Sequence, residues 1–238
     1  MMKKIFLGVL LFAAVLHAEE IYATFTVEAK QNAKLAFNAS GVVGKVNVDV
    51  GSVVKKGAVL AALKSEDIRA RYEIAKTALK YAKRDYERQF KVKQILDKAK
   101  LDQVSFKYDN AKAQLLYQKA LLDNTVLEAP FDGIITYKNV EVGDTVSSVR
   151  LSTVLKIQSL HARKLLLSFD QKYWKVVKPG AVFRYKVDGD DTPREGRISK
   201  VYPSADPKDR KMHAEVPVTD IPVGLFGTGE IIVNPKKQ

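Results

Sequence analysis

Gly41-Val-Val-Gly-Lys-Val-Asn-Val-Asp-Val-Gly51-Ser-Val-Val decides how this chain folds, because it returns further on as Gly133-Ile-Ile-Thr-Tyr-Lys-Asn-Val-Glu-Val-Gly143-Asp-Thr-Val. Both copies set two glycines ten residues apart and place Val-acid-Val-Gly just before a polar residue. The β-branched runs between the glycines read as short strands joined by tight turns. A glycine at the same place in each copy suits a turn that needs positive φ, so Gly41, Gly51, Gly133 and Gly143 are assigned to the structural turns of the two halves. Two copies of one β-unit predict a pseudo-symmetric sandwich, half from 30–64 and half from 125–158.

Between the copies the sequence changes character. From Ala58 to Ala129 there is neither Gly nor Pro, and Ala, Lys, Leu, Glu and Gln predominate, all good helix formers. Ser65 is placed to cap a helix, with Glu66 and Asp67 in its first turn. Ile68, Tyr72, Ala75, Leu79, Ala82 and Tyr86 alternate spacings of four and three, and so do Val104, Tyr108, Ala111, Leu115, Gln118 and Leu122. These are two heptad seams. They mirror each other about position 95, which sets Tyr86 opposite Val104 and Ala82 opposite Tyr108, small against large. Each seam is two positions per heptad wide, enough to bury one partner helix and little else. A projecting coiled-coil hairpin over 65–124 follows, with its turn between Lys93 and Lys100.

Working outward to the C-terminus, short apolar runs such as Lys164-Leu-Leu-Leu-Ser-Phe169 and Ala181-Val-Phe-Arg-Tyr-Lys-Val187 alternate with the turn signals Pro179-Gly180, Asp188-Gly189-Asp190, Asp206-Pro207 and Pro222-Val-Gly224. That pattern predicts a small β-barrel over 159–235, with Trp174, beside Tyr173, packed against it (a contact residue is the other reading) and one or two helical turns between Asp170 and Val177. The fold class is therefore mainly β with a long helical hairpin. At the other end, Met1-Met2-Lys3-Lys4, the apolar run Ile5–Leu16 and Ala18 before Glu19-Glu20 have the order of a secretory signal peptide over 1–18. An uncleaved membrane anchor is the alternative, although the run is shorter than the roughly 20 residues a span requires.

The 238 residues carry no cysteine and a formal net charge of +13. Thiolate chemistry is excluded, and the charge is spread along the chain as on a solvated surface. Nucleic acid, the usual partner of a basic chain, does not suit an exported one. His17, His161 and His213 lack ligand-like spacing. No phosphate loop, nucleophile elbow or cofactor motif is present, and the acidic turn Asp188, Asp190, Asp191 has too few regularly spaced oxygens for calcium. No enzyme activity, cofactor or metal is expected. One cluster stands out. Lys91, Lys93, Lys98 and Lys100 surround Ile95 and Leu96, and a positive tip with two aliphatics suits docking onto a polar or acidic protein groove; a solvated turn without a role is the other reading.

Taken in order, Gly41 to Leu63, Leu127-Glu-Ala-Pro-Phe-Asp-Gly133, Val140-Glu-Val-Gly143, Val177-Lys-Pro-Gly180, Glu195-Gly-Arg-Ile198, Ala205-Asp-Pro-Lys-Asp-Arg210 and Pro222-Val-Gly-Leu-Phe-Gly227 resemble the periplasmic adaptor subunits, or membrane fusion proteins, of bacterial tripartite efflux pumps of the resistance-nodulation-division type. The resemblance implies a split lipoyl-like sandwich, a hairpin and a barrel. It also implies a periplasmic, non-catalytic adaptor that forms a homo-oligomer, a hexamer in the pump, between an inner-membrane efflux transporter and an outer-membrane channel. Membrane contact would be peripheral or through those partners. Drugs or other small toxic compounds are the implied cargo, with an ATP-driven exporter or a metal-ion efflux system as alternatives. Family tips often carry Arg, Leu and Ser for channel docking. Here the aligned positions are Lys93, Asp97 and Val104, so Lys93 keeps the charge while Leu96 and Ser105 lie next door; Lys93, Leu96 and Ser105 are the docking residues the resemblance implies. The membrane-proximal domain of larger adaptors is expected to be lacking or vestigial. A biotin- or lipoate-carrying domain is disfavoured, because the hairpin replaces the turn that would present the modified lysine.

Overall fold

The computed structural model describes residues 19–92, 97–150 and 152–233; the expected signal peptide lies outside them. The chain divides into two compact units, one of residues 31–160 and one joining 19–30 to 161–233. All fifteen strands of the described residues fall into three sheets. The first strand, Glu19–Ala29 (β1), belongs to the second unit.

The first unit contains Asn32–Leu35 (β2), Gly41–Val46 (β3), Val53–Val54 (β4) and Val59–Leu63 (β5), then the helices Glu66–Lys91 (α1) and Lys98–Asp123 (α2), then Val126–Glu128 (β6), Gly133–Lys138 (β7), Thr145–Val146 (β8) and Leu155–Ser159 (β9). Two four-stranded sheets form, ordered β2-β9-β7-β4 and β6-β5-β3-β8. The sequence repeat is written into this order as an exchange. β3, the long strand of the first copy, takes as neighbour β8 from the second, with Gly41 opposite Val146. β7 takes β4 from the first copy, with Val54 opposite Gly133.

The turns are exchanged in the same way. Gly51 N–H donates to Ile135 O at 2.8 Å, and Gly143 N–H donates to Val43 O at 2.9 Å. These two glycines have φ of 88° and 100°, the left-handed conformation in which a Cβ is penalised. Within each turn a side-chain oxygen three residues on accepts the first residue's N–H: Ser52 Oγ from Asp49 at 2.9 Å, and Asp144 Oδ2 from Glu141 at 2.8 Å. Gly41 and Gly133 are different from what the repeat suggested. They open β3 and β7 rather than sit at positive φ. A Cβ on Gly133 would strike the Gln158 carbonyl and lie 2.9 Å from Ile157 Cγ1, so close approach to β9 selects glycine there. Val43, Leu60, Leu155, Ile157 and Ile135 fill the space between the sheets and are fully shielded from solvent.

β5 and β6 are adjacent, with Ala62 opposite Val126. The helices are thus inserted where a tight β-turn would close a strand pair. Thr125, buried at the junction, donates its hydroxyl to Leu122 O at 2.7 Å while its carbonyl accepts from Leu63 N–H at 2.9 Å.

The second unit is a barrel of β1 with Arg163–Asp170 (β10), Val182–Val187 (β11), Asp190–Arg197 (β12), Lys200–Val201 (β13), Lys211–Val218 (β14) and Phe226–Val233 (β15). The order is β12-β11-β15-β1-β10-β14-β13. β12 pairs with β11 while β13, just beyond it, pairs with β14 through Lys200 and Glu215; this bent stretch closes the sheet, and Ser199 N–H donates to Glu215 O at 2.8 Å within it. A barrel made from 159–235 alone needs correcting, since the central strand comes from the N-terminal end of the chain. Its alternation is strict: Ile21, Ala23, Phe25 and Val27 are buried, while Tyr22, Thr24, Thr26 and Glu28 face outward. Phe25 meets Phe183 and Tyr185 edge-on, at ring separations of 5.9 and 5.3 Å. Room for these rings comes from β15: a Cβ on Gly227 would lie 2.5 Å from Phe25 Cζ, and one on Gly229 2.7 Å from Phe183 Cζ.

Only one 3₁₀ turn, Gln171–Tyr173, forms after β10, capped by Asp170, which accepts from Lys172 N–H at 2.9 Å. Trp174 is 56% exposed and does not enter the core. The acidic turn is a hairpin between β11 and β12 with Gly189 at φ 85°. There Asp190 is held at about 2 by bonds from Thr192 and Arg194.

Candidate docking site on the helical hairpin

Each helix runs 26 residues, about 39 Å at 1.5 Å per residue. The first has Glu66 and Asp67 in its first turn and Arg88 and Lys91 in its last, which complements the helix dipole at both ends. Ser65 occupies the cap position without a side-chain capping bond. At the other helix Asp97 caps: its carboxylate accepts from Ala99 N–H at 3.4 Å, and its carbonyl from Lys100 and Leu101. An acidic residue directly before a helix-forming run was the sequence signal for that cap.

Ile68, Tyr72, Leu79, Ala82 and Tyr86 are half-buried and Ala75 is buried; Val104 is buried, and Tyr108, Ala111, Leu115, Gln118 and Leu122 are half-buried. Tyr86 stacks on Tyr108 with ring centroids 5.4 Å apart, and the Phe90 ring lies tilted against Tyr86 at 5.5 Å. The ring contact is one layer from the Tyr86–Val104 pairing that mirror symmetry about position 95 suggested. Long side chains lean toward the N-terminus of their own helix. In an antiparallel pair the two tyrosines therefore lean toward each other, over the small Ala82. Gln118 in the seam leaves its Oε1 buried without a hydrogen-bond partner among the described residues.

Of the tip residues, Lys93 and Leu96 lie outside the described residues. Ser105 is half-buried, seven positions into α2, and donates its hydroxyl to Leu101 O at 2.8 Å. It therefore stands about two turns from the start of the helix, with its hydroxyl engaged by its own backbone. Lys91 and Lys98 flank the tip, exposed and without a carboxylate partner among the described residues. Lys100 reaches Gln103 Oε1 at 3.4 Å.

The outer faces of the hairpin carry large apolar residues that the heptad spacing does not mark. Ile74 and Tyr81 on α1, and Phe106, Leu116 and Tyr117 on α2, all lie outside the seam and are at least 59% exposed. Large apolar residues off the a/d positions were the available signal: an isolated hairpin gains nothing from them.

His213 Nδ1 lies 3.1 Å from Ser168 Oγ and 3.2 Å from Leu167 O, as a strand residue rather than a ligand. Among the described residues no group of His, Asp and Glu is placed to hold a metal, and no helix is long and apolar enough to cross a membrane.

The chain matches the CzcB-like, barrel-sandwich hybrid domain family over residues 31–156. It is 26% identical over 214 residues to the cobalt-zinc-cadmium resistance protein CzcB of Cupriavidus metallidurans, covering 81% of this chain and 41% of that protein. The chain spans less than half the length of the curated relatives it matches. A MacA-MexA chimeric protein containing the Pseudomonas aeruginosa MexA α-hairpin domain has the same fold, with a TM-score of 0.80 and 21% identity over 91% of this chain and 83% of that one. So does the membrane fusion protein Spr0693 of Streptococcus pneumoniae R6, with a TM-score of 0.70 and 18% identity over 89% and 98%. The family match covers more than half of the chain, from β2 through the inserted hairpin to β9, and the chain therefore belongs to the CzcB-like barrel-sandwich hybrid domain family and has the fold of membrane fusion proteins.

Proposed function

We propose that this protein is a periplasmic, non-catalytic adaptor linking an inner-membrane efflux transporter of the resistance-nodulation-division type to an outer-membrane channel. The observation that carries the reading is the hairpin inserted between β5 and β6, with apolar side chains on its outer faces as well as in its seam. The hairpin acts as a coiled coil, and those outer residues are covered when copies of the chain pack side by side in a ring, a hexamer in the pump. Lys93, Leu96 and the flank bearing Ser105 meet the channel. The likeness to a cobalt-zinc-cadmium resistance protein favours divalent metal ions as cargo over drugs, with metal ligation left to the transporter.

Crosslinking in cells, pull-down of the tagged chain and mass spectrometry test the adaptor reading; recovery of a transporter and a channel is expected, and recovery of neither from the periplasm overturns it. Cells lacking the protein should become sensitive to zinc, cobalt or cadmium, and drug sensitivity alone would return the cargo to drugs. Lys93→Glu and Leu96→Asp should lower export without changing thermal stability, whereas unchanged resistance would remove the tip from the docking site.

A further inference from the structure

The barrel carries a groove apart from the helical hairpin. Tyr22 on β1 is 64% exposed and stands between two clefts. One, of about 600 Å³, is lined by Thr24 and Ser168 and walled by Asp170–Tyr173 and Asp209–Lys211. The other, of about 260 Å³, is bounded by Arg184, Lys186 and Glu230. Thr228, Thr24, Ser168 and His213 are register neighbours on β15, β1, β10 and β14, so a row of hydroxyls ending in an imidazole crosses the wall beside Tyr22.

Both clefts present both signs of charge. Asp170 and Asp209 face the first together with Lys172, Arg210 and Lys211, and Glu230 faces the second with Arg184 and Lys186. An anion entering either cleft meets carboxylates, and a cation meets ammonium and guanidinium groups. A neutral ligand rich in both donors and acceptors meets partners for each. The sheet offers no free edge here, since β15, β1, β10 and β14 are each hydrogen-bonded on both sides, which disfavours an added peptide strand. Arg210 is also held in the left-handed region, at φ 57°, its N–H donating to Asp206 O at 2.8 Å and its carbonyl accepting from Gln171 N–H at 3.3 Å. Its guanidinium has no carboxylate partner among the described residues. Strained backbone beside a cleft is a recurrent mark of a ligand site.

We infer that this groove binds an extended neutral glycan, with the Tyr22 ring as a stacking platform between two sugar subsites. Sugar C–H faces pack on an aromatic ring while their hydroxyls need both donors and acceptors, and the groove supplies all three.

The test is calorimetric titration of the full chain with two neutral probes, a β-1,4-linked N-acetylglucosamine tetrasaccharide and cellotetraose, and with polyglutamate and dextran sulfate as polyanions. Binding of a neutral tetrasaccharide is expected, little changed between about 0.05 and about 0.5 M salt. Tyr22→Ala should weaken it at least about tenfold while Tyr22→Phe, which keeps the ring, retains it. Tyr22 is exposed, so unfolding does not confound these variants; equal melting temperatures verify this. Arg210→Gly relieves the backbone and removes the guanidinium, and should weaken the glycan while leaving stability equal or higher. The inference is overturned if neither tetrasaccharide binds, if Tyr22→Ala binds as the wild type does, or if only the polyanions bind and salt abolishes it, the result for a site that takes an acidic polymer.

Discussion

Two glycines separate two reasons for having no side chain. Gly143 sits at φ 100° with open space where a Cβ would be, whereas Gly227 has extended backbone but faces the ring of Phe25 and the carbonyl of Lys186. Gly143→Ala should therefore cost about 1 kcal/mol of backbone strain, and Gly227→Ala about 3 kcal/mol of overpacking. Urea denaturation of the two variants measures the difference, and equal costs would contradict the packing of Phe25. On the outer wall of the barrel, Lys164 donates to Glu215 at 2.6 Å and Tyr202 to the same carboxylate at 2.8 Å, with about four-fifths of both ionic side chains shielded from solvent. Burial opposes the charge on Glu215, but the bonds from Lys164 and Tyr202 outweigh it and hold its pKa below the usual value. A depressed carboxylate stabilises the fold above its ordinary pKa, about 4.3, and loses that contribution as pH falls through the lowered value. Glu215→Gln should cost about 1 kcal/mol at neutral pH and flatten the loss of stability below about pH 4; urea midpoints measured against pH check both.

Helices are the elements whose sequence speaks most directly. Their hydrogen bonds close within four residues, so the seams could be read from spacing alone, and Ala75 and Val104 are buried where the heptads put them. Leu79→Asp places a charge in the half-buried seam and should cost about 2 kcal/mol with loss of helicity, read by circular dichroism and thermal melting. Gln118→Leu removes the unpartnered Oε1 and should stabilise the hairpin by about 1 kcal/mol; a lowered melting temperature would mean that the amide finds a partner in solution. Spacing did not reveal the Tyr86–Tyr108 stack, because which layer a long ring joins depends on its lean along the axis and on the small Ala82 beneath it. The outer apolar residues were visible as letters, but only exposure distinguishes them from seam residues of another helix.

For the whole molecule the decisive partnerships join distant segments. β1 lies between β10 and β15, so it holds two ladders at once. Deletion of residues 19–29 should unfold the barrel, seen as protease cleavage throughout 161–233, while the helical signal of the hairpin persists; a barrel that still resists protease would show that β1 is dispensable. Only the period of two from Ile21 to Ala29 was legible in the sequence, and no strand was expected there. The strand's destination was not legible either, because an alternating strand fits any half-buried sheet position.

The amino-acid sequence by itself determined the two β-units, the seams of the hairpin and the strand-and-turn rhythm of the barrel. Each is a local property, set by side-chain periodicity, by Gly and Pro punctuation and by helix bonds that never leave their segment. Only the tertiary structure decided that the repeats trade strands, β3 with β8 and β7 with β4, that Gly133 is needed for a close approach rather than a turn, and that the N-terminal strand completes the barrel. Strand pairing joins backbone groups that are identical from residue to residue, so the partner is chosen by which arrangement buries both apolar faces at once, a condition no single segment carries.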